Sequence, residues 1–563
     1  MSTETRSPTP DTSSTASPRR WAILAVLCVS LLIVSLDNTI LNIALPALVR
    51  DLHATESQLE WIVDIYACVF AGLLLVAGSI GDRVGRKKVF CVGLAIFAAG
   101  SAGSAFSTSV TALIVARSVM GLGAACIMPA TLSIIINVFR EPDDQARAIG
   151  IWSATTGLGI AIGPIAGGWL LAHYWWGSVF LVNVPVATLG LSAALWLVPD
   201  SRDPERRPID VLGAVLSTVG LAMLLWSIIE APVRGWDSPF VLASGVGAVV
   251  VLSAFVVWER HTTHPMLTLK PFADRRFSVA MAAVAMAVFG LMGALFVLTQ
   301  YLQFSLGFSA LDAGVRIVPI AAVLAVAAVT STVVDRVIGT KVVVAVGMCI
   351  VAAGLWQLTT TTTAQGFGHS LIGMILLGLG AGLIIAPATA SVMGSLSRDR
   401  AGVGSATNST ALQVGGALGV AVIGSVLTSR YQGRMTDTLA GHSVPPAAAH
   451  AILGSIGGAL AVARMAGGAV GTELTVAARR AFVDGMDLAL LVGAVVVAAS
   501  ALLVIAALPS RRRVRPDAPS PEDHRPAVPP TGSGEPPTGS GDGVGDPGRR
   551  EDQTGHAVPV SRT

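Results

Sequence analysis

The chain has 563 residues, 53% of them hydrophobic and only 13% charged, with a mean hydropathy of +0.70. A soluble chain of this length would be about a quarter charged, so a string of water-soluble domains is excluded. The net charge of +3 says little, but the placement of Lys and Arg says a great deal.

Residues 1–20 open with Ser, Thr and Pro around three arginines and are expected to form a disordered cytoplasmic tail. The first apolar run is too long for a signal peptide, holds Asp37 and Asn38, and lacks a small-residue cleavage site. It therefore reads as a retained helix. Apolar runs long enough for a hydrocarbon core of roughly 30 Å then recur. Spans are predicted near 22–47, 58–80, 89–107, 110–137, 147–171, 179–198, 210–230, 240–258, 278–301, 311–334, 342–360, 370–395, 402–429 and 482–508. The expected fold is an all-α polytopic membrane protein with fourteen transmembrane helices. Residues 430–480 form a long connection whose middle, 451–470, is apolar but built largely of Gly and Ala around Arg464. It reads as an extracellular re-entrant or surface hairpin. Residues 511–563 are rich in Pro, Gly and Ser and read as a second disordered cytoplasmic tail. The five cysteines, Cys28, Cys68, Cys91, Cys126 and Cys349, all lie inside apolar runs in no metal-like spacing, and read as packing residues.

Orientation follows from counting basic residues. With a cytoplasmic N-terminus, the inside connections hold Arg83, Arg86, Lys87 and Lys88, then Arg140 and Arg147, Arg202, Arg206 and Arg207, and their successors. The short outside loops hold only Arg50 and Arg234. Short basic loops stay cytoplasmic. Arg511, Arg512, Arg513 and Arg515 follow the last span, so both termini are expected inside and a fifteenth span at 451–470 is disfavoured.

Three groups of residues carry more than hydropathy. The second span ends in Gly78-Ser79-Ile80-Gly81-Asp82-Arg83-Val84-Gly85-Arg86-Lys87-Lys88, with a degraded echo at Ser331, Asp335, Arg336, Gly339 and Lys341. The fifth span holds Gly159, Gly163, Pro164, Gly167 and Gly168, a smooth face for close helix approach with a kink inside it. Further strings are Leu36-Asp37 through Asn42 to Pro46, Trp61 with Asp64 and Tyr66, Trp176 with Phe180, Asn183 and Pro185, and Phe482 with Asp484 and Gly485.

Taken together, these strings resemble the major facilitator superfamily, and within it the fourteen-span drug:proton antiporters of the QacA/EmrB type. The resemblance covers about 21–510 and is most specific in the first half. It implies a major facilitator fold: a six-helix half over 21–200, an inserted helix pair over 201–260, and a second six-helix half over 261–510 carrying the hairpin 430–480. It makes Gly78, Asp82, Arg83, Gly85 and Arg86 the conformational motif. Gly159, Gly163, Pro164, Gly167 and Gly168 become the antiporter motif found in exporters.

Ionisable residues within membranes default to functional candidates. These are Asp37, Asp64, Arg117, where the family places a proton-coupling arginine, and Asp484. Asp37 reads either as a proton carrier or as a structural partner of Arg117, and Asp484 as a site acid or a helix N-terminus acid. Arg316 reads as a packing arginine. Span thirteen departs from related quaternary-ammonium exporters: Asn408 to Gln413 contains no carboxylate, which argues against tight dication binding.

The implied function is proton-coupled export of lipophilic, cationic drugs or antibiotics across a bacterial cytoplasmic membrane, by a monomer without cofactor, metal or nucleic-acid partner. The alternative is a dedicated exporter of one self-made antibiotic. An ATP-driven pump would need a G-x-x-x-x-G-K-[ST] loop, and an enzyme would need a motif such as H-E-x-x-H or G-x-S-x-G; the sequence has none of these. The charge count makes a direct prediction. With the native cysteines replaced, a cysteine at Ser443 reacts with an impermeant maleimide on whole cells and one at Ser520 does not. The reverse pattern overturns the topology.

Overall fold

The computed structural model describes residues 18–508, apart from 140, 201–209, 264, 266, 268, 362–365, 395–400 and 441. Of the expected tails at 1–20 and 511–563, residues 1–17 and 511–563 lie outside the described residues. Every long element is a helix: α1 (Pro18–Leu52), α2 (Glu56–Val84), α3 (Arg86–Ala105), α4 (Val110–Val138), α5 (Pro142–His173), α6 (Asn183–Leu197), α7 (Val211–Arg234) and α8 (Pro239–His261). They are followed by α9 (Arg275–Gln300), α10 (Ala310–Ile338), α11 (Thr340–Leu358), α12 (Phe367–Gly394), α13 (Ala401–Leu439) and α14 (Gly468–Ala507). Thirteen of these, α6 counted together with the short helix Ser178–Leu181 that leads into it, are long and apolar enough to cross a membrane by length and composition among the described residues. The fourteenth is α5, 32 residues long and packed against α1 and α10. The chain is a multi-pass membrane protein with the expected fold.

Local chemistry fixes the helix ends. Thr55 and Gln58 form a reciprocal capping box at the start of α2, and Ser109, Asp210, Asp274 and Ser309 cap α4, α7, α9 and α10. Gly85 joins α2 to α3 at φ +126°, and Gly339 joins α10 to α11 at φ +88°. These are backbone conformations that side-chain-bearing residues avoid. The motif and its echo are therefore the same turn built twice.

The same repetition governs packing. In the first half α1 packs on α5 and α6, α2 on α4, and α3 on α4 and α6. In the second half α9 packs on α13 and α14, α10 on α12, and α11 on α12 and α14. The halves meet along two seams, α5 with α10 and α2 with α13. The inserted pair α7–α8 lies against α2 and α13, so it borders the second seam.

Three features differ from the sequence expectation. Helix α1 begins at Pro18, so Arg19 and Arg20 belong to its first turn; Arg20 pairs with Asp144 of α5 at 3.3 Å. Helix α13 runs on to Leu439 and α14 starts at Gly468, far ahead of residue 482. What separates them is a pair of short helices, Pro446–Gly454 and Ile456–Ala466, too short to span a bilayer. The apolar stretch at 451–470 is broken where the Ser455 side chain caps the second of them.

Helix α5 meets α1 through the glycines singled out above. A Cβ on Gly159 would lie 2.6 Å from Cβ of Ser35, one on Gly163 would reach 3.0 Å from Cβ of Thr39, and one on Gly167 would lie 2.7 Å from Ile40 Cγ1. Gly168 faces the other way, where a Cβ would lie 2.7 Å from the Ala310 carbonyl oxygen of α10. Helix α10 answers with Gly314, set against the Pro164 carbonyl. The motif thus holds α5 to its own half and to the opposite half at once. Overpacked buried contacts typically cost about 1–3 kcal/mol. Gly163→Leu is therefore expected to lower the melting temperature of the detergent-solubilised protein, whereas Gly433→Leu, at a site with nothing within 4 Å, leaves it unchanged. Equal melting curves would refute the close contact.

Candidate functional site

The Asp37 carboxylate of α1 and the Arg117 guanidinium of α4 form an ion pair, and both side chains are at most 1% exposed. A buried charge must be paired and hydrogen-bonded, and the fold supplies further partners from α2, α3, α6 and the short helix Ser178–Leu181. Arg117 Nε donates to the Ile62 carbonyl of α2 at 3.1 Å. Its guanidinium carbon lies 4.4 Å from the Tyr66 ring centre and 5.9 Å from that of Phe180, a cation–π arrangement. Asn183 Nδ2 of α6 donates to the second Asp37 oxygen at 3.3 Å and lies 3.1 Å from Ser101 Oγ of α3. Ser101 Oγ in turn donates to the Phe180 carbonyl at 2.8 Å. Residues from four separate sequence strings, around 37, 66, 117 and 180, are one three-dimensional cluster.

Asp64 is not part of it. Ile62 and Tyr66 face the ion pair, and two residues along a helix turn the side chain by about 200°. Asp64 is fully buried and neither carboxylate oxygen has a hydrogen-bond partner. One turn on, Ala67, Cys68 and Ala71 pack with Leu221, Leu225 and Ile229 of α7 and Ala417 and Ala421 of α13. Asp64 therefore lies on the face of α2 that meets the opposite half.

The sequence reading passed over two more acids on that face. Glu56 and Glu60, eight and four residues before Asp64, are as buried as Asp64. The signal was available as acids at i, i+4 and i+8. The predicted span began at 58, however, which placed both at the membrane boundary, where acids are ordinary.

Asp484 lies in the second half, well inside α14 and not at its start. It pairs with Arg434 of α13 at 2.8 Å, and both side chains are nearly half exposed. Among the motif residues, Gly85 makes the turn, Arg86 donates to the Ser133 carbonyl of α4 at 3.3 Å, and Arg83 is exposed. Gly78 lies 3.6 Å, measured from a built Cβ, from Pro129 of α4; the Asp82 side chain lies outside the described ones. Arg316 stacks on Phe308 at 3.9 Å and pairs with Asp312, consistent with a packing role. Between the halves lies a narrow cleft in which Thr39, Asn42 and Thr299 stand among apolar residues such as Pro164, Leu291 and Ile317. The buried side-chain oxygen of Asn42, Oδ1, has no hydrogen-bond partner among the described residues.

A helical membrane protein built from two repeated halves, with a cleft between them and buried acids at their seam, has the architecture of a secondary transporter. The chain belongs to the Major Facilitator Superfamily, whose family profile matches residues 27–229 and 211–420. It is 34% identical over 535 residues, 93% of this chain and 98% of the relative, to the tetracenomycin C resistance and export protein of Streptomyces glaucescens. It is 34% identical to the multidrug efflux pump LfrA of Mycolicibacterium smegmatis over 88% of this chain and 97% of that protein. It is 30% identical to the methyl viologen resistance protein SmvA of Salmonella typhimurium over 84% and 95% respectively. Among solved structures, a bacterial homolog of the human lysosomal transporter Spinster, inward-facing and occupied, superposes with a TM-score of 0.62 at 17% identity, covering 87% of this chain and 98% of that one. That likeness concerns the fold alone.

The ion pair carries a stability prediction. Removing one partner of a buried pair typically costs about 3–5 kcal/mol. Asp37→Asn should therefore melt well below wild type, and Asp37→Asn with Arg117→Gln should recover part of the loss. An Asp37→Asn protein as stable as wild type would show that the pair does not hold these helices together.

Proposed function

We propose that the protein is a proton-driven antiporter that exports lipophilic drugs or antibiotics from the bacterial cytoplasm, as a monomer with both termini inside. The observation that carries this reading is Asp64: a fully buried carboxylate, without a hydrogen-bond partner, on the face of α2 that packs across the seam between the halves. A lone carboxylate is expensive to seal in a low-dielectric interior. Its charge can be offset by a proton or by a cationic substrate, and competition between the two is antiport. Rocking of the halves about the α5–α10 and α2–α13 seams would expose the cleft to either side in turn.

Asp37 and Arg117 divide the labour differently. Their pair is saturated with partners, so it suits a structural hinge whose opening is coupled to the cycle, while Asp64 is the leading proton carrier. Asp484, paired with Arg434 and partly exposed, is assigned to the α13–α14 contact. The names of the relatives support export as the direction, and the glycine face on α5 supports the exporter reading of that motif.

A second reading, a dedicated exporter of one antibiotic, is supported by the name of one relative, the tetracenomycin C resistance and export protein. The test is expression in a pump-deficient bacterium against a chemically varied toxin panel, with and without a protonophore. Protonophore-sensitive resistance to several unrelated lipophiles supports the broad exporter, and resistance to a single compound the dedicated one. No protonophore-sensitive resistance to any compound contradicts both.

A further inference from the structure

Helix α2 enters the fold with an acid at every turn. Glu56, Glu60 and Asp64 share one face, and each is at most 1% exposed. Among the described residues neither oxygen of Asp64 has a hydrogen-bond partner, and Glu56 has the Gln300 side-chain amide beside it. Among the described residues, the ion pairs leave all three out.

Glu60 differs from its neighbours in what it touches. Its carboxylate crosses from the first half to the second, where Ser425 Oγ and Thr428 Oγ1 of α13 lie 3.2 and 3.3 Å from its two oxygens. Ser425 Oγ also lies 2.8 Å from the Ile228 carbonyl of α7, so a single hydroxyl proton is shared between the acid and the inserted pair. The fit is close: a Cβ on Gly424 would lie 2.6 Å from Glu60 Cδ.

The charged and titratable groups around Glu60 can be stated element by element. Its own helix brings Glu56 and Asp64, both acids. Helix α13 brings the two hydroxyls and, beside Glu56, Tyr431. Helix α7 brings a carbonyl, and the Arg117 of α4 is committed to Asp37 and Ile62. Three carboxylates one helical turn apart repel one another strongly where water is excluded.

We propose that Glu60 is a further proton-carrying residue of the exchange cycle, and that its bonds to Ser425 and Thr428 tie its proton to closure of the α2–α13 seam. This rests on the reading of the protein as a proton-driven exporter. With the seam closed, the carboxylic acid is sealed among hydroxyls and other acids. When the halves part, Ser425 and Thr428 withdraw with α13 and water reaches the acid. The Glu60 O–H then breaks with its proton going to water, or a proton from water re-forms it. Asp64, one turn deeper, is the next acceptor. Glu60 thus lies between Glu56 and Asp64 on the proton's path, and Ser425 and Thr428 are positioning residues that register whether the seam is shut.

The test uses the full chain in liposomes, with two readouts. The first is the pH-difference infrared spectrum in the carboxyl C=O stretching region, which needs no substrate. The second is accumulation of tetraphenylphosphonium driven by an imposed pH gradient. For Glu60→Gln, the proposal expects loss of one titrating carboxyl band and loss of gradient-driven accumulation. Passive tetraphenylphosphonium exchange should persist. An unchanged spectrum, or a lost band with gradient-driven accumulation intact, overturns the proposal. Should Glu60→Gln fail to fold, Ser425→Ala with Thr428→Val decides. A moved pH midpoint of the same band supports the proposal and an unmoved one overturns it. If wild type itself shows no gradient-driven accumulation, the broad-exporter reading fails, and the infrared arm still decides whether Glu60 binds a proton.

Discussion

The first half is organised by the cost of removing charge from water. Asp37 and Arg117 are buried in the middle of an apolar bundle, and neither could remain there without the other. To keep them satisfied, α1, α2, α3, α4 and α6 must converge with side chains in register, because Ile62, Tyr66, Ser101, Phe180 and Asn183 each contribute a contact. The strings around these residues look like unrelated motifs along the chain. They are one solution to one electrostatic problem.

The proposed exchange rests on the contrast between this cluster and the face of α2 that meets α13. One side of α2 supports a saturated pair; the other carries acids with few partners or none. A saturated pair holds helices, whereas an unsaturated acid must acquire a proton or a cation whenever the seam around it is dry. In the proposed cycle the acids at the contact between halves link their charge state to the tilt of the halves. The inserted pair α7–α8 is part of this arrangement, since it shares Ser425 with Glu60 and borders the same seam.

Much of this was legible in the sequence. The spans, the repeated turn at Gly85 and Gly339, the α5 glycine face and the Asp37–Arg117 partnership could be read from hydropathy, spacing and family resemblance. Three things could not. Helices α13 and α14 have 39 and 40 residues, about 60 Å each at 1.5 Å per residue. They extend far beyond a bilayer core of about 30 Å, and hydropathy does not register helix outside it. The glycines Gly415 and Gly419, which press α13 against Ala285 and Phe289 of α9 as the α5 glycines press on α1, went unread because the motif around them is degraded. Glu56 and Glu60 were hidden by their position: acids at a predicted span edge look solvated until a second half is seen to cover them.

The central claim is that proton movement and substrate movement are obligately opposed, with Asp64 as the carrier. The direct measurement is stopped-flow proton release from the purified, monodisperse protein in weak buffer, on addition of a compound it is found to export. Wild type is expected to release protons as the compound binds, and Asp64→Asn to release measurably fewer while still binding. Release at the wild-type level from a folded Asp64→Asn protein, or binding by wild type with no release, would contradict the account.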